Sequence, residues 1–183
     1  MPTEVGTTAA DTRPLAPLPT PETPRGRVAL FLDMDGVLAP LAATPDAVVA
    51  DPRRTAVIAR LVEALDGRVA IVSGRTLDEI DRIADYASPA AAGVHGLVRR
   101  RANGEETTFT PSPGIAHAAA AVEAFAAERP GLLVERKGVA VGLHYRQAPH
   151  YEAEVLALAG ELAACHGLSI QPGVLVVELK TPG

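Results

Sequence analysis

Cysteine occurs once in this sequence of 183 residues, at Cys165, so no disulfide can form within the chain. A lone thiol suits a reducing cytoplasm, and on an Ala-rich helix it reads as a small buried apolar residue rather than a nucleophile. Tryptophan is absent, and Phe and Tyr number three each, so any core must be aliphatic. Basic excess is missing too: the formal net charge is −5, and the one arginine cluster, Arg99 to Arg101, sits beside a hairpin-turn signal at Asn103-Gly104. Nucleic acid is therefore not an expected partner. No uninterrupted apolar run reaches membrane-spanning length, and no basic segment followed by a hydrophobic stretch opens the chain. We therefore expect neither a membrane nor a secreted protein. What is present, 48% hydrophobic and 21% charged residues, is the composition of an ordinary globular protein with one domain or two small ones.

Residues 1–26 hold six of the sixteen prolines and few large apolar side chains, which predicts a disordered leader. From Arg27 the pattern changes to "VALFL", a short continuous apolar run of the kind buried on both faces of a parallel sheet. A helix is predicted over 51–65, with Asp51 at the N-cap, Pro52 in the first turn and Gly67 past the end. The strand "RVAIVS" follows, then a helix through about Asp85 opened by a Thr76/Glu79 capping box, then a strand over 90–94. This alternation is the sequence form of a right-handed α/β sheet.

Beyond His95-Gly96 the grammar shifts to hairpins with interleaved helices. A hairpin turns at Asn103-Gly104, a helix covers about 114–128, two strands flank Lys137-Gly138, a helix covers about 150–166, and "LSIQ" and "VLVVEL" close the chain. This implies a second, α+β unit with an antiparallel sheet. The expected organisation is a leader at 1–26, a partial Rossmann-like parallel-sheet core at 27–110 and an α+β cap at 111–183.

Ligand sites of parallel α/β sheets lie beyond the carboxyl ends of the strands. Asp33 and Asp35 occupy that place after the first strand, and Ser73-Gly74-Arg75 after the second, so the two are expected to converge. Carboxylates at i and i+2 share a face if strand geometry persists, and Gly36 permits a tight exit. Packed together they need a cation between them or a proton on one of them. Either solution serves phosphoryl transfer: a hard cation such as Mg²⁺ attracts phosphate, and a proton can go to a leaving oxygen. Ser73 can donate to a phosphoryl oxygen, aided by the N-terminus of the helix near Thr76. Taken alone, Asp-x-Asp-Gly is equally a capped turn. Arg75 faces the phosphate or caps the strand end, His95 reads as structural, and His144 and Arg146 share a face that is either sugar contact or wet sheet surface.

The stretch "FLDMDGVLAP" resembles the first signature of the haloacid dehalogenase superfamily. With "IVSGRTLDEI", "AGVHGLVRR", "VERKGVAVGLHYR" and "VELKTPG", the chain from Arg27 to Gly183 resembles the trehalose-6-phosphate phosphatases of that superfamily. The resemblance implies that Asp33 attacks phosphorus to form an aspartyl-phosphate, and that Asp35 protonates the sugar oxygen and later activates water. It implies Mg²⁺ on the Asp33 carboxylate and the Asp35 backbone carbonyl, with Ser73 and Gly74 holding the phosphoryl group. Glu135, Lys137 and Glu178 match the cap positions that bind the sugar of trehalose 6-phosphate. Glu135 and Lys137, two apart on a strand, share a face, which suits paired sugar hydroxyls as well as it suits a solvated charge pair. The alternatives are a phosphatase of the same superfamily for another sugar phosphate and a non-catalytic sugar-phosphate-binding module.

Three departures from the family pattern stand out. Met34 and Val37 replace a frequent aromatic and a threonine. The lysine, helix, strand and acidic Gly-Asp-Asp type loop that complete the Mg²⁺ site in the family do not occur between "ELKTPG" and the last residue, Gly183. The expectation is that "VALFL" forms an apolar edge, and that these 183 residues expressed alone are poorly soluble and nearly inactive without that segment.

Overall fold

The computed structural model describes residues 28–42 and 44–183, so the leader predicted at 1–26 lies outside the described residues. Strands β1 (Leu30–Asp33), β2 (Val69–Val72) and β3 (Ala90–Gly93) are parallel, and β4 (Val98–Arg100) and β5 (Glu106–Thr108) extend the same sheet antiparallel, in the order β1-β2-β3-β4-β5. The hairpin at Asn103-Gly104 thus forms, within the first sheet. Two helices make the crossovers, α1 (Pro52–Ala64) and α2 (Leu77–Ala84). Their starts are written in the sequence. The Asp51 side chain accepts the Arg53 N–H at 2.8 Å, and Thr76 and Glu79 form the full capping box.

Right-handed crossovers that advance in one direction put both helices on one face of the sheet. Ile58, Ile80 and Ile83 accordingly pack in one cluster with Met34, Ile71 and Ala91. The other face is open, which corrects the expectation that "VALFL" is buried on both sides. Phe31 is 70% exposed and Val72 37%, because no described helix covers that face and β1 is the edge strand among the described residues.

A second sheet follows. Helix α3 (Gly114–Ala127) leads to β6 (Leu133–Arg136) and β7 (Ala140–His144), and helix α4 (Glu152–His166) to β8 (Ser169–Gly173) and β9 (Val176–Lys180). The order is β6-β7-β9-β8, antiparallel throughout. The α/β class with a separate antiparallel sheet agrees with the reading of the sequence. Val141, Leu143, Val177 and Leu179 pack against Val122 and Val155 of the two helices. Strand alternation sends the intervening residues the other way, so Glu135, Gly142 and Glu178 form one cross-strand row on the face away from α3 and α4. Cys165 does lie on a helix but is exposed, a correction: the buried side of α4 runs through Val155 and Ala159.

Two of the features that join the units lie away from the charged row. Val94, Leu97, Val139 and Ala140 form a small buried cluster between the sheets. The connection between the units is tied to the segment after β9 where the Ser112 N–H donates to Thr181 Oγ1 at 3.0 Å.

Candidate active site

The strand geometry stops at Asp33. Met34 turns its side chain fully into the core, its carbonyl accepts the N–H groups of Leu38 and Ala39, and Gly36, at φ 86°, donates to the Ala39 carbonyl at 2.7 Å. Asp33 and Asp35 are therefore held by different means. Asp33 is exposed at the strand end, with Oδ1 accepting the Met34 N–H at 2.8 Å. Asp35 is gripped by Arg75, whose Nε reaches Oδ2 at 2.9 Å and whose Nη2 reaches Oδ1 at 2.8 Å. The Asp35 carboxylate, for which the sequence suggested a cation or a proton, has an arginine counter-ion. Arg75 is held in turn by the Pro45 carbonyl at 3.0 Å and by Glu79 at 3.3 Å. Burial alone would lower the Arg75 pKa, but the bonds and charge of Asp35 outweigh it and hold it above the ordinary value. Ser73 is buried, and its Oγ accepts the Arg75 N–H at 3.2 Å.

The second sheet brings its charged row to the same place. Lys137, in the turn after β6, has three N–H donors and three partners. These are Glu178 Oε1 at 2.6 Å, the Gly74 carbonyl at 2.9 Å and Glu135 Oε2 at 3.3 Å. Burial pulls the ammonium's pKa down, but the charges of Glu178 and Glu135 overcome this and hold it above the usual lysine range. The carboxylates show the converse. Burial raises Glu178, while the His95 bond and the Lys137 charge bring it below the usual range; burial raises Glu135, while the His144 bond and Lys137 do the same. His144 Nε2 lies 2.9 Å from Glu135 Oε2, and Arg146 donates to the Ala42 carbonyl, in the loop after β1, at 2.7 Å.

Between the units lies a cavity of about 210 Å³, lined by Asp35, Gly74, Arg75, Glu135, Lys137 and Glu178, with His144 and Arg146 on its wall. Five of the seven residues given a role from the sequence, Asp35, Gly74, Glu135, Lys137 and Glu178, thus meet there. Asp33 and Ser73 do not line it, although both stand at the strand ends beside it. Sequence reasoning left Arg75, His144 and Arg146 undecided and missed the Thr44-Pro45 wall. The i, i+2 spacing of His144 and Arg146 was the available signal; a wall of loop backbone leaves none. Among the described residues, no group of three or more His, Cys, Asp or Glu side chains is placed to hold a metal ion. No described helix is long and apolar enough to cross a membrane.

The chain is similar in sequence and fold to known proteins. The trehalose-6-phosphate phosphatase of Escherichia coli (strain K12) is 36% identical over 169 residues, covering 90% of this chain and 64% of the relative. The probable trehalose-phosphate phosphatase of Sinorhizobium fredii (strain NBRC 101917 / NGR234) is 38% identical over 154 residues, covering 83% of this chain and 58% of the relative. The chain thus spans a little under two thirds of the length of these relatives. A solved structure of a trehalose-6-phosphate phosphatase related protein superposes with a TM-score of 0.72 at 26% identity, over 85% of this chain and 69% of that one. The trehalose-phosphatase family model matches residues 31–183, and the chain belongs to that family.

Proposed function

We propose that the protein hydrolyses trehalose 6-phosphate to trehalose and phosphate through an aspartyl-phosphate, with Mg²⁺ as cofactor, in the cytoplasm. The observation that carries this reading is the convergence of Glu135, Lys137 and Glu178 with Asp35 and Gly74 on one cavity. Carboxylates fixed at a cavity wall accept hydroxyls, and a sugar offers hydroxyls in quantity.

Asp33 is the attacking group. Its exposed carboxylate oxygen forms a bond to phosphorus as the bond from phosphorus to the sugar oxygen breaks. Asp35, having released one Arg75 nitrogen and taken a proton from solvent, gives that proton to the departing oxygen, then takes one from the water that cleaves the aspartyl-phosphate. Arg75 aims Asp35 through both carboxylate oxygens, and one of those bonds is given up while Asp35 carries the proton. Pro45 and Glu79 keep the guanidinium in place meanwhile. The Ser73 hydroxyl, whose oxygen accepts from Arg75, keeps its proton for a phosphoryl oxygen.

The donor set suits Mg²⁺. The Asp33 carboxylate and Asp35 carbonyl are hard oxygens, the Asp35 carboxylate is already taken by Arg75, and Mg²⁺ commonly takes one or two protein carboxylates and completes its shell with water and phosphate. When bound, the ion draws charge from the phosphoryl oxygens. The lysine and acidic loop that the family resemblance adds to this centre belong to the same proposal, and reading the DNA beyond codon 183 checks for them.

The test is phosphate release by the full chain from trehalose 6-phosphate, glucose 6-phosphate and p-nitrophenyl phosphate, with Mg²⁺ and with chelator. Trehalose 6-phosphate is expected to be preferred, with Glu135→Ala and Glu178→Ala losing that preference and Asp33→Asn losing turnover on all three. Equal use of the three esters by the unmodified protein would sink the substrate assignment.

A further inference from the structure

Val94 and His95 both hold left-handed backbone, at φ 48° and φ 54°. For a β-branched valine this is a genuine outlier, and such strain persists only where the surroundings enforce it. Here the Ser73-Gly74-Arg75 loop enforces it. The Val94 N–H donates to the Arg75 carbonyl at 2.8 Å, and the His95 N–H to the Ser73 carbonyl at 3.1 Å. Gly93 allows this approach, since a Cβ there would lie 2.7 Å from the Arg75 oxygen. Val94 itself is buried between the two sheets, so the turn is fixed from both sides.

The strained turn delivers one group. The His95 imidazole lies against Gly74, where an added Cβ would come within 2.7 Å of Cε1, and its Nε2 is 3.0 Å from Glu178 Oε2. A carboxylate only accepts, so Nε2 carries the proton and donates. Glu178 Oε1 takes Lys137, and Lys137 returns to the Gly74 carbonyl. The three side chains therefore make a circuit that starts and ends on Gly74, and His95 stands behind Glu178, outside the cavity lining.

We propose that His95 is a positioning residue for sugar recognition. It fixes the Glu178 carboxylate from behind and fastens the second sheet to the Ser73-Gly74-Arg75 loop, without touching substrate. The proposal rests on the trehalose 6-phosphate reading above. Without His95, the carboxylate has one anchor instead of two and is free to turn about its last torsion. The lysine bond alone would then hold β9 to the loop.

The experiment compares His95→Ala and His95→Gln with the unmodified full chain. Glutamine keeps an N–H donor at similar reach. Losing a hydrogen bond to a charged group predicts a rise of about tenfold or more in KM for trehalose 6-phosphate in His95→Ala, and kcat/KM for p-nitrophenyl phosphate within about twofold. His95→Gln is expected to recover most of the KM. An unchanged KM in His95→Ala, an equal loss on both esters, or no recovery with glutamine overturns the proposal. A second readout needs no substrate: spin-label distances between Asp78→Cys on α2 and Glu161→Cys on α4, in a Cys165→Ser background. The distribution should lengthen and broaden in His95→Ala and narrow again in His95→Gln. If it does not move, the fastening role is refuted; if only the unmodified protein's sugar preference is missing, the substrate reading fails instead.

Discussion

Replacing Lys137 by methionine tests the charged roof of the cavity. The two side chains are of similar length, so the change leaves little void and isolates the charge. Lys137 is 4% exposed at its side chain, and its partners Glu178 and Glu135 are 7% and 18% exposed. Removing one partner of a buried ion pair strands the other, at about 3–5 kcal/mol. Here two carboxylates are stranded, each still holding a histidine bond, so we take that range as the expectation rather than its double. For a chain of this size about 3–5 kcal/mol corresponds to a fall of about 6–20 °C in Tm. The pH dependence fixes the sign. In the unmodified protein Glu178 and Glu135 titrate below the usual range, so their stabilisation is present at neutral pH and is lost as pH falls through their folded values. The Lys137 contribution is present at neutral pH and is lost only as pH rises through its raised value. In the variant, burial is no longer offset by the ammonium, so protonating the carboxylates relieves it. The gap to the unmodified protein should therefore narrow on acidification. Urea unfolding between neutral and mildly acidic pH reads both quantities. A variant within about 1 kcal/mol of the original at neutral pH, or a gap that widens as pH falls, would show that the roof is not held this way.

Two further substitutions probe the loop below it. Gly74→Ala places a methyl 2.7 Å from His95 Cε1 and 2.8 Å from Nε2, so the imidazole must leave Glu178. Its KM for trehalose 6-phosphate should rise as in His95→Ala, and steady-state kinetics with retained circular dichroism checks it. Arg75→Lys keeps the charge but not the two-pronged grip on Asp35, and a misplaced acid lowers turnover by about 100-fold. That loss should be larger on trehalose 6-phosphate, whose departing sugar oxygen needs the Asp35 proton, than on p-nitrophenyl phosphate, whose leaving group departs as a stable anion, and turnover of the sugar ester no more impaired than that of the aryl ester would refute the assigned role.

What the sequence disclosed follows physical range. Asp51, Thr76 and Glu79 act within three residues, so their helix starts could be read directly. The shared face of Glu135 and Lys137 was read from strand alternation and Glu178 from the family resemblance; Lys137 proves to stand in the turn past β6, a correction, and still reaches the same cavity. Long-range choices were hidden. That both crossover helices would lie on one face, leaving Phe31 bare, depends on how three strands order themselves rather than on "VALFL". Arg75 and Asp35 are forty residues apart, and only the parallel pairing of β1 with β2 brings them into contact. His95 gave least sign of its place, because a left-handed valine before it contradicts every local preference and is set by the loop it docks on.

That docking bears on how a ligand enters. The cavity of about 210 Å³ falls below the roughly 300–1,000 Å³ common for small-molecule sites. Three side-chain bonds close it across the two units: Lys137 to the Gly74 carbonyl, His95 to Glu178, and Arg146 to the Ala42 carbonyl. The Lys137 ammonium, moreover, has no donor left over. On the proposed function, a sugar hydroxyl that engages the Lys137 ammonium must take the place of one of its protein partners. Any parting of the two sheets would break the bonds to two loop carbonyls and one histidine while leaving the Ser112 to Thr181 bond, which joins the connection between the units to the segment after β9. On the proposed function, the charged roof is therefore organised in advance of the sugar, its carboxylates already aimed by Lys137, His95 and His144.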